Sequence, residues 1–346
     1  MTETAITVRR TAPGGSELPL TEAYDTALLD LDGVVYAGPN AIEHAVESLD
    51  SARGAGMRLA YVTNNASRPP RVVAEHLTEL GVPAEPADVI NSAQAAARVL
   101  AEKLPAGAKV LVVGGLGLEE ALAERGLVAV RTLAEEPSAV VQGFDASVGW
   151  TQLAEASYAV QSGLPWVASN TDVTVPTARG IAPGNGMLVA AVRAATGVEP
   201  EVAGKPLPPM HRETVLRTGA KRPLVVGDRL DTDIEGAFNG GVDSLLVFTG
   251  VTTAAQLLAA PAEHRPTYLA EDLRGLLTAH APVTAEDGGF GCGGFLAVAR
   301  DGALRLEGVG ADRWDGLRAL CAAAWTALDA DGEPVDGRKA LAELGF

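Results

Sequence analysis

From Thr26 onward, short apolar runs alternate with amphipathic stretches, and this alternation narrows the fold more than any other feature of the chain. "TALLDL" (26–31), "MRLAYVTNN" (57–65), "KVLVVGG" (109–115), "SAVVQGF" (138–144), "WVASN" (166–170), "RPLVVGD" (222–228) and "SLLVFTG" (244–250) read as buried strands. Between them, 41–56, 69–81, 92–104, 118–126, 151–163, 186–196, a segment near 210–219 and 231–241 read as helices, some with Pro near the start or Gly past the end. Such alternation implies parallel strands joined by crossover helices. Near Val82–Asp88 the register breaks and a second alternating unit begins, so the simplest organisation is one parallel-sheet domain interrupted by an inserted one.

The expected domains are a loose arm (1–22), a core built from 23–81 and 204–280, an insertion at 82–203, and a small extension at 285–346. In the extension, "GGFGCGGFLAVARDG" suggests a hairpin, and an Ala/Leu-rich helix is expected at 314–329. A length of 346 residues accommodates two domains and a small third. The fold class is therefore α/β, with a doubly wound, Rossmann-like core, an inserted α/β domain and a small C-terminal α+β extension.

Charge narrows the partners. A formal charge of −17 without a local Lys/Arg cluster disfavours nucleic acid and anionic membranes and leaves a small-molecule ligand. Only Cys292 and Cys321 are present, with no CxxC, so neither a disulfide framework nor a thiolate zinc site is indicated. The first twenty residues lack a signal-peptide pattern and no run is apolar enough for a membrane span, which gives a cytoplasmic expectation.

In a doubly wound sheet, ligands sit beyond the carboxyl ends of the strands. Three expected core strands end there in polar residues: "DLDG" (30–33), "TNN" (63–65) and "GDRLDTD" (227–233), with Lys205 opening the helix before the third. Carboxylates gathered at one edge repel unless a divalent cation joins them, and an all-oxygen set suits magnesium. The Thr63 hydroxyl and Lys205 ammonium suit phosphate oxygens. One aspartate can then attack phosphorus as nucleophile while another protonates the leaving alkoxide and later activates water.

These four segments, D-x-D-G-V, T-N-N, G-K-P and G-D-x-x-x-x-D in order, resemble the motifs of the haloacid dehalogenase-like phosphohydrolases. The insertion resembles the large α/β cap of the subgroup containing nitrophenylphosphatases, pyridoxal phosphatases and phosphoglycolate phosphatases. "VTNNASR" (62–68), "GDRLDTDIEGA" (227–237) and "ASNTDVTVPTARGIAPGNG" (168–186) carry the likeness, which spans about 24–280. The resemblance implies Asp30 as nucleophile, Asp32 as general acid and base, and phosphate contacts from Thr63, Asn64 and Lys205. It also implies Mg2+ held by Asp30, Asp228 and the Asp32 carbonyl, with Asp233 in support. Asn65, Arg68, Asn170 and Asp172 are expected at the leaving group, although the last two serve equally well as caps of the following turn. The whole chain, extension included, is similar to actinobacterial glycerol-3-phosphate phosphatases, which implies glycerol 3-phosphate as substrate. Phosphoglycolate, or a broad set of sugar and nucleotide monophosphates, is the alternative.

Other readings are weaker. A non-catalytic metabolite sensor on the same fold has little reason to keep Asp30 and Asp32 together. "GGLGLEE" (114–120) lacks the full dinucleotide fingerprint and reads as a tight turn, and "GVEPEVAGKP" fails as a P-loop. The five histidines show neither H-x-H nor H-E-x-x-H, and no G-x-S-x-G is present. The extension, likened to an acetyltransferase segment, is too short for a complete acetyltransferase. Its face of Leu317, Leu320, Trp325 and Leu328 is expected to pack against the phosphatase body or a second subunit of a homodimer.

Overall fold

The computed structural model describes residues 10–177, 179–286 and 288–346. It resolves into two compact units, one formed by the chain up to Leu59 together with Ala220–Phe346, the other by Ala60–Gly219.

In the first unit, Thr26–Leu29, Pro223–Gly227, Asp243–Val247 and Tyr268–Ala270 run parallel, in the spatial order 268–270, 243–247, 223–227, 26–29. Thr26–Leu29 is wholly buried, as an apolar run covered on both faces requires. Leu29 lies opposite Val226, and Asp30 N–H continues the ladder to the Val226 carbonyl at 2.8 Å. The residues that leave these two neighbouring strands therefore emerge side by side. The arm begins within residues 1–9, which lie outside the described residues, but 10–22 is tied down rather than loose. Gly14 N–H donates to Thr267 O at 2.7 Å, Ser16 N–H to His280 O at 2.9 Å, and Leu20 is fully buried.

The extension belongs to the same unit. Thr284–Glu286, Gly289–Cys292, Phe295–Arg300 and Ala303–Gly308 form an antiparallel meander, larger than the hairpin expected. The helix Arg313–Asp331 is capped by Asp312, whose carboxylate accepts from Trp314 N–H, and it ends at Gly332 in the left-handed region. Leu317, Leu320 and Trp325 are buried in one cluster with Leu246, Leu257, Leu258 and Leu269, while Leu328 is half-buried. The expected apolar face thus packs against this chain's own body. The Trp325 indole donates to Leu257 O at 2.9 Å, Arg265 grips Asp329 with two contacts of 2.8 Å, and buried Arg318 donates to Asp315, Leu269 O and His280 Nδ1.

In the second unit, Tyr61–Thr63 pairs in parallel with Val89–Asn91. A five-stranded parallel sheet follows, ordered Glu201–Val202, Trp166–Ala168, Ala139–Gln142, Lys109–Val113, Val128–Val130. The helix Ser92–Ala101 starts at a reciprocal cap, Asn91 and Gln94 each accepting the other's backbone N–H at 3.0 Å. The fully buried Glu213 accepts from Arg98, Arg125 and Arg217. Burial opposes its ionisation, but these arginines outweigh it and hold the carboxyl below the usual range. No helix among the described residues is long and apolar enough to cross a membrane.

Candidate active site

Asp30 leaves Thr26–Leu29 and is half-buried, whereas Asp32 is exposed. The turn that separates them is tight: Val34 and Val35 N–H both donate to Leu31 O, and Gly33 N–H donates to Tyr36 O at 2.9 Å. Gly33 has φ +89°, and a Cβ there would lie 2.6 Å from Asp228 Oδ2. Only glycine fits both the backbone and the space. The glycine behind the two carboxylates therefore exists to let a third approach.

Asp228 follows Pro223–Gly227 and is fully buried. Asp233, 2% exposed, closes a π-helical turn at Leu230–Ile234, a geometry often found at functional sites. Its Oδ2 accepts from Arg229 N–H at 3.2 Å, and its own N–H donates to Arg229 O at the same distance. Gly227 makes room for it, since a Cβ there would sit 2.2 Å from the Asp233 Cβ. Asp231 lies between these two on the exposed side and pairs with Arg229 at 3.0 and 2.8 Å. The sequence spacing thus sorts one aspartate outward and two inward.

Asp30, Asp228 and Asp233 each offer an oxygen within 4.8 Å of the others. Oxygens bound to one magnesium at about 2.1 Å lie roughly 3–4 Å apart, so this set is near coordination spacing. Three hard oxygen donors, two of them buried, fit a divalent cation better than a softer metal. Asp32 was expected to contribute its carbonyl rather than its carboxylate, and its carboxylate is not in the cluster.

The second unit holds the other expected residues. Thr63 is buried at the end of its strand and accepts from Asn65 N–H at 3.1 Å. Asn64 Oδ1 accepts from Lys205 N–H at 2.8 Å, and its amide donates to Lys205 O at 3.1 Å and Asp172 Oδ1 at 3.4 Å. Asn64 therefore ties together the backbone around Lys205 as well as lying beside Thr63. Lys205 Nζ donates to Val62 O at 3.0 Å. Asn65 and Arg68 are exposed, with Asn65 Oδ1 accepting from Ser67 N–H and hydroxyl. Asn170 is 4% exposed; its amide donates to Asn64 O at 2.7 Å and its Oδ1 accepts from Asp172 N–H at 3.1 Å. Of its two expected uses, these bonds favour holding the loop. "GGLGLEE", expected as a tight turn, bends only at Gly114 and Gly115 before the helix Leu116–Glu124 begins, and Gly117 in that helix is close enough to Ala66 O that a Cβ would lie at 2.3 Å.

Sequence reasoning missed Thr249–Val251, which reach the carboxylate cluster from the next strand. Thr249 donates to Gly33 O at 2.6 Å and Val251 N–H to Asp228 Oδ2 at 2.7 Å. The available signal was a Thr-Gly pair at a strand's carboxyl end, the place where Asp30 and Asp228 also occur.

Comparison with known proteins fits this geometry. A haloacid dehalogenase-like hydrolase family model matches 27–128, a second model of the same kind matches 202–276, and a GCN5-related N-acetyltransferase-like domain model matches 292–346. A D-glycerol 3-phosphate phosphatase of Mycobacterium tuberculosis is 46% identical over 90% of this chain and 89% of its own. An acid sugar phosphatase of Staphylococcus aureus is 38% identical over 72% of this chain and 95% of its own. Among solved structures, a glycerol phosphate phosphatase of M. tuberculosis in complex with magnesium superposes with TM-score 0.86 at 41% identity, covering 94% of this chain and 99% of that one. A p-nitrophenyl phosphatase from Archaeoglobus fulgidus gives 0.68 at 30% identity, covering 73% and 98%.

Proposed function

The chain belongs to the haloacid dehalogenase-like hydrolases, and we propose that it is a magnesium-dependent phosphatase whose substrate is glycerol 3-phosphate. The observation that carries the substrate is coverage. The glycerol 3-phosphate phosphatase matches across 90% of the chain, whereas the acid sugar phosphatase stops at 72%. That second likeness supports the alternative, a broader range of sugar phosphates.

In this reading 23–81 and 204–280 are the catalytic core, 82–203 the cap and 285–346 the extension, in a cytoplasmic protein whose two cysteines are free and buried. Asp30 attacks phosphorus and the bond to the glycerol oxygen breaks, the departing alkoxide taking a proton from the Asp32 carboxyl. Water then attacks the aspartyl-phosphate, Asp32 accepts its proton, and inorganic phosphate leaves with Asp30 regenerated. The exposure of Asp32, beside a half-buried Asp30, suits a group that must meet both leaving group and water. Asp30, Asp228 and the Asp32 carbonyl hold magnesium with support from Asp233, and the cation offsets the repulsion between carboxylate and phosphate. Thr63, Asn64 and Lys205 are assigned to the phosphate oxygens, and Asn65, Arg68 and Asp172 to the leaving group.

Phosphate release from a panel of phosphomonoesters, with and without magnesium, tests the assignment. Glycerol 3-phosphate is expected to give kcat/KM at least about tenfold above sugar phosphates, nucleotide monophosphates and phosphoglycolate, roughly 1.4 kcal/mol of discrimination. Equal values across the panel would establish the broader reading instead.

A further inference from the structure

Asp243–Val247 leads into Phe248–Thr252, a segment with no part in the chemistry assigned above. Three of its groups nevertheless close on the carboxylate cluster. Val251 N–H donates to Asp228 Oδ2 at 2.7 Å, Thr252 N–H donates to the Asp228 carbonyl at 3.3 Å, and the Thr249 hydroxyl donates to the Gly33 carbonyl at 2.6 Å. Gly250 lies between them, and a Cβ there would stand 1.9 Å from Asp228 Oδ2. Gly33 crowds the same oxygen from its own side, with a Cβ position 2.6 Å away. One oxygen of Asp228 is thereby bonded to an N–H and walled by two glycines, which fixes the plane of the carboxylate. Val251 is 67% exposed, so burial of its side chain is not what holds it there.

We propose that Thr249, Gly250 and Val251 form a positioning loop for the divalent cation, orienting Asp228 and pinning the turn that carries Asp30 and Asp32. The inference rests on the reading of Asp228 as a metal ligand. A carboxylate free to rotate must be ordered when the ion arrives, whereas one already fixed binds without that entropic loss, and groups that orient metal ligands typically contribute 10–100-fold in affinity. The Thr249 bond works on the opposite wall: by holding Gly33 O it keeps the 30–33 turn against Asp228, a contact that the missing Cβ of Gly33 allows.

The test titrates magnesium alone, by calorimetry and by the magnesium-induced rise in melting temperature, into the full chain and its variants. Gly250→Ala, whose methyl must displace Asp228, is expected to raise the magnesium concentration for half-saturation roughly 10–100-fold. Thr249→Val, which keeps the shape and removes the donor, should raise it several-fold, and Thr249→Ser should restore it. Melting in chelator should differ little among the Thr249 variants. If Gly250→Ala fails to fold, the Val and Ser pair decides. Asp228→Asn separates the two levels of the argument. If Asp228→Asn abolishes magnesium binding while the loop variants titrate like the parent, the positioning role is overturned and the metal assignment stands. If Asp228→Asn itself titrates like the parent, the metal assignment fails and the loop's role falls with it. Loop variants that melt lower in chelator yet titrate normally would reduce this segment to ordinary structure.

Discussion

Replacing Trp325 by alanine separates a structural extension from a catalytic one. The indole is fully buried, donates to Leu257 O at 2.9 Å, and has the buried Arg265 guanidinium 5.4 Å from its ring centroid. Truncating a buried aromatic to alanine costs about 3–5 kcal/mol. Leaving the Leu257 carbonyl without its donor, and Arg265 without its aromatic face, pushes the loss toward the upper end of that range. For a unit of this size each kcal/mol corresponds to roughly 2–4 °C, so a loss near 4 kcal/mol lowers the midpoint by roughly 8–16 °C. Trp325→Phe, which keeps a ring but not the donor, should lose less than half as much. Scanning calorimetry or urea unfolding reads the stability, and turnover is measured well below the new midpoint. The folded fraction should keep kcat within about tenfold of the parent, because no assigned catalytic residue lies in 285–346. A midpoint moved by less than about 3 °C would refute the packing argument. A large loss of kcat at unchanged stability would show that the extension helps build the active site.

Asp30→Asn should abolish turnover in a normally folded protein, and Asp32→Asn should slow glycerol 3-phosphate more than nitrophenyl phosphate, whose leaving group needs less protonation; parallel rate assays would reject the acid assignment if both substrates lost equally. Chelation should eliminate phosphate release and magnesium restore it, while calcium, larger and less strict in geometry, should bind yet support little turnover; full activity in metal-free protein would discard the cluster as a cation site. Glu213→Gln leaves three arginines around a buried neutral group, so calorimetry should show a loss of about 3–5 kcal/mol, and an unmoved transition would contradict it. His280 is buried and accepts from Arg318 at Nδ1, with Nε2 2.8 Å from Gly275 O, and burial together with the Arg318 charge depresses its pKa although the Gly275 bond opposes this. Because the folded state favours the neutral ring, stability is complete above the unfolded value of about 6.5 and is lost as pH falls toward the depressed one. Urea midpoints between pH 7.5 and 5 (roughly one unit above and 1.5 below that value) should fall less steeply for His280→Gln than for the parent, and identical slopes would exclude this source.

The parallel strands were legible because strands covered on both faces must be nearly continuous apolar runs, and the carboxylates at their ends stand out against them. Asp30 and Asp228 could be brought together from sequence alone for that reason. The loop that steadies Asp228 could not, because its decisive groups are a backbone N–H and an absent Cβ, neither of which side-chain chemistry reveals. Asn170 shows the converse: an amide that looks available in sequence is engaged by the Asn64 carbonyl and Asp172 N–H. The sequence suggests only a hairpin where the four-stranded meander lies, because its second strand is broken by glycines. Gly289 and Gly291 are there for close approach, a Cβ at the first falling 2.3 Å from Ala297 O and at the second 1.8 Å from Glu286 Oε1. Thr174–Thr177 and Gly180–Pro183 form an antiparallel ribbon whose first strand contains a proline, which weakens any strand pattern in the sequence.

Adjacency of Thr26–Leu29 with Pro223–Gly227 also sets a timetable for making the enzyme. During synthesis the strand that carries Asp30 emerges long before its neighbour, with all of Ala60–Gly219 translated in between. Pairing at such separation is slow, although the entropy of closing the loop grows only logarithmically with its length. Until 223–233 have been made, Asp30 has no Asp228 or Asp233 to meet, so a nascent chain has no cluster with which to capture the cation. Magnesium bound at the proposed site would fasten a pairing of strands far apart in the chain, and at a hundredfold excess over its Kd it would add about 2.7 kcal/mol to that closure. On the proposed assignment the ion is thus a seal set on a finished chain, acquired in the same step that completes the surroundings of Asp30.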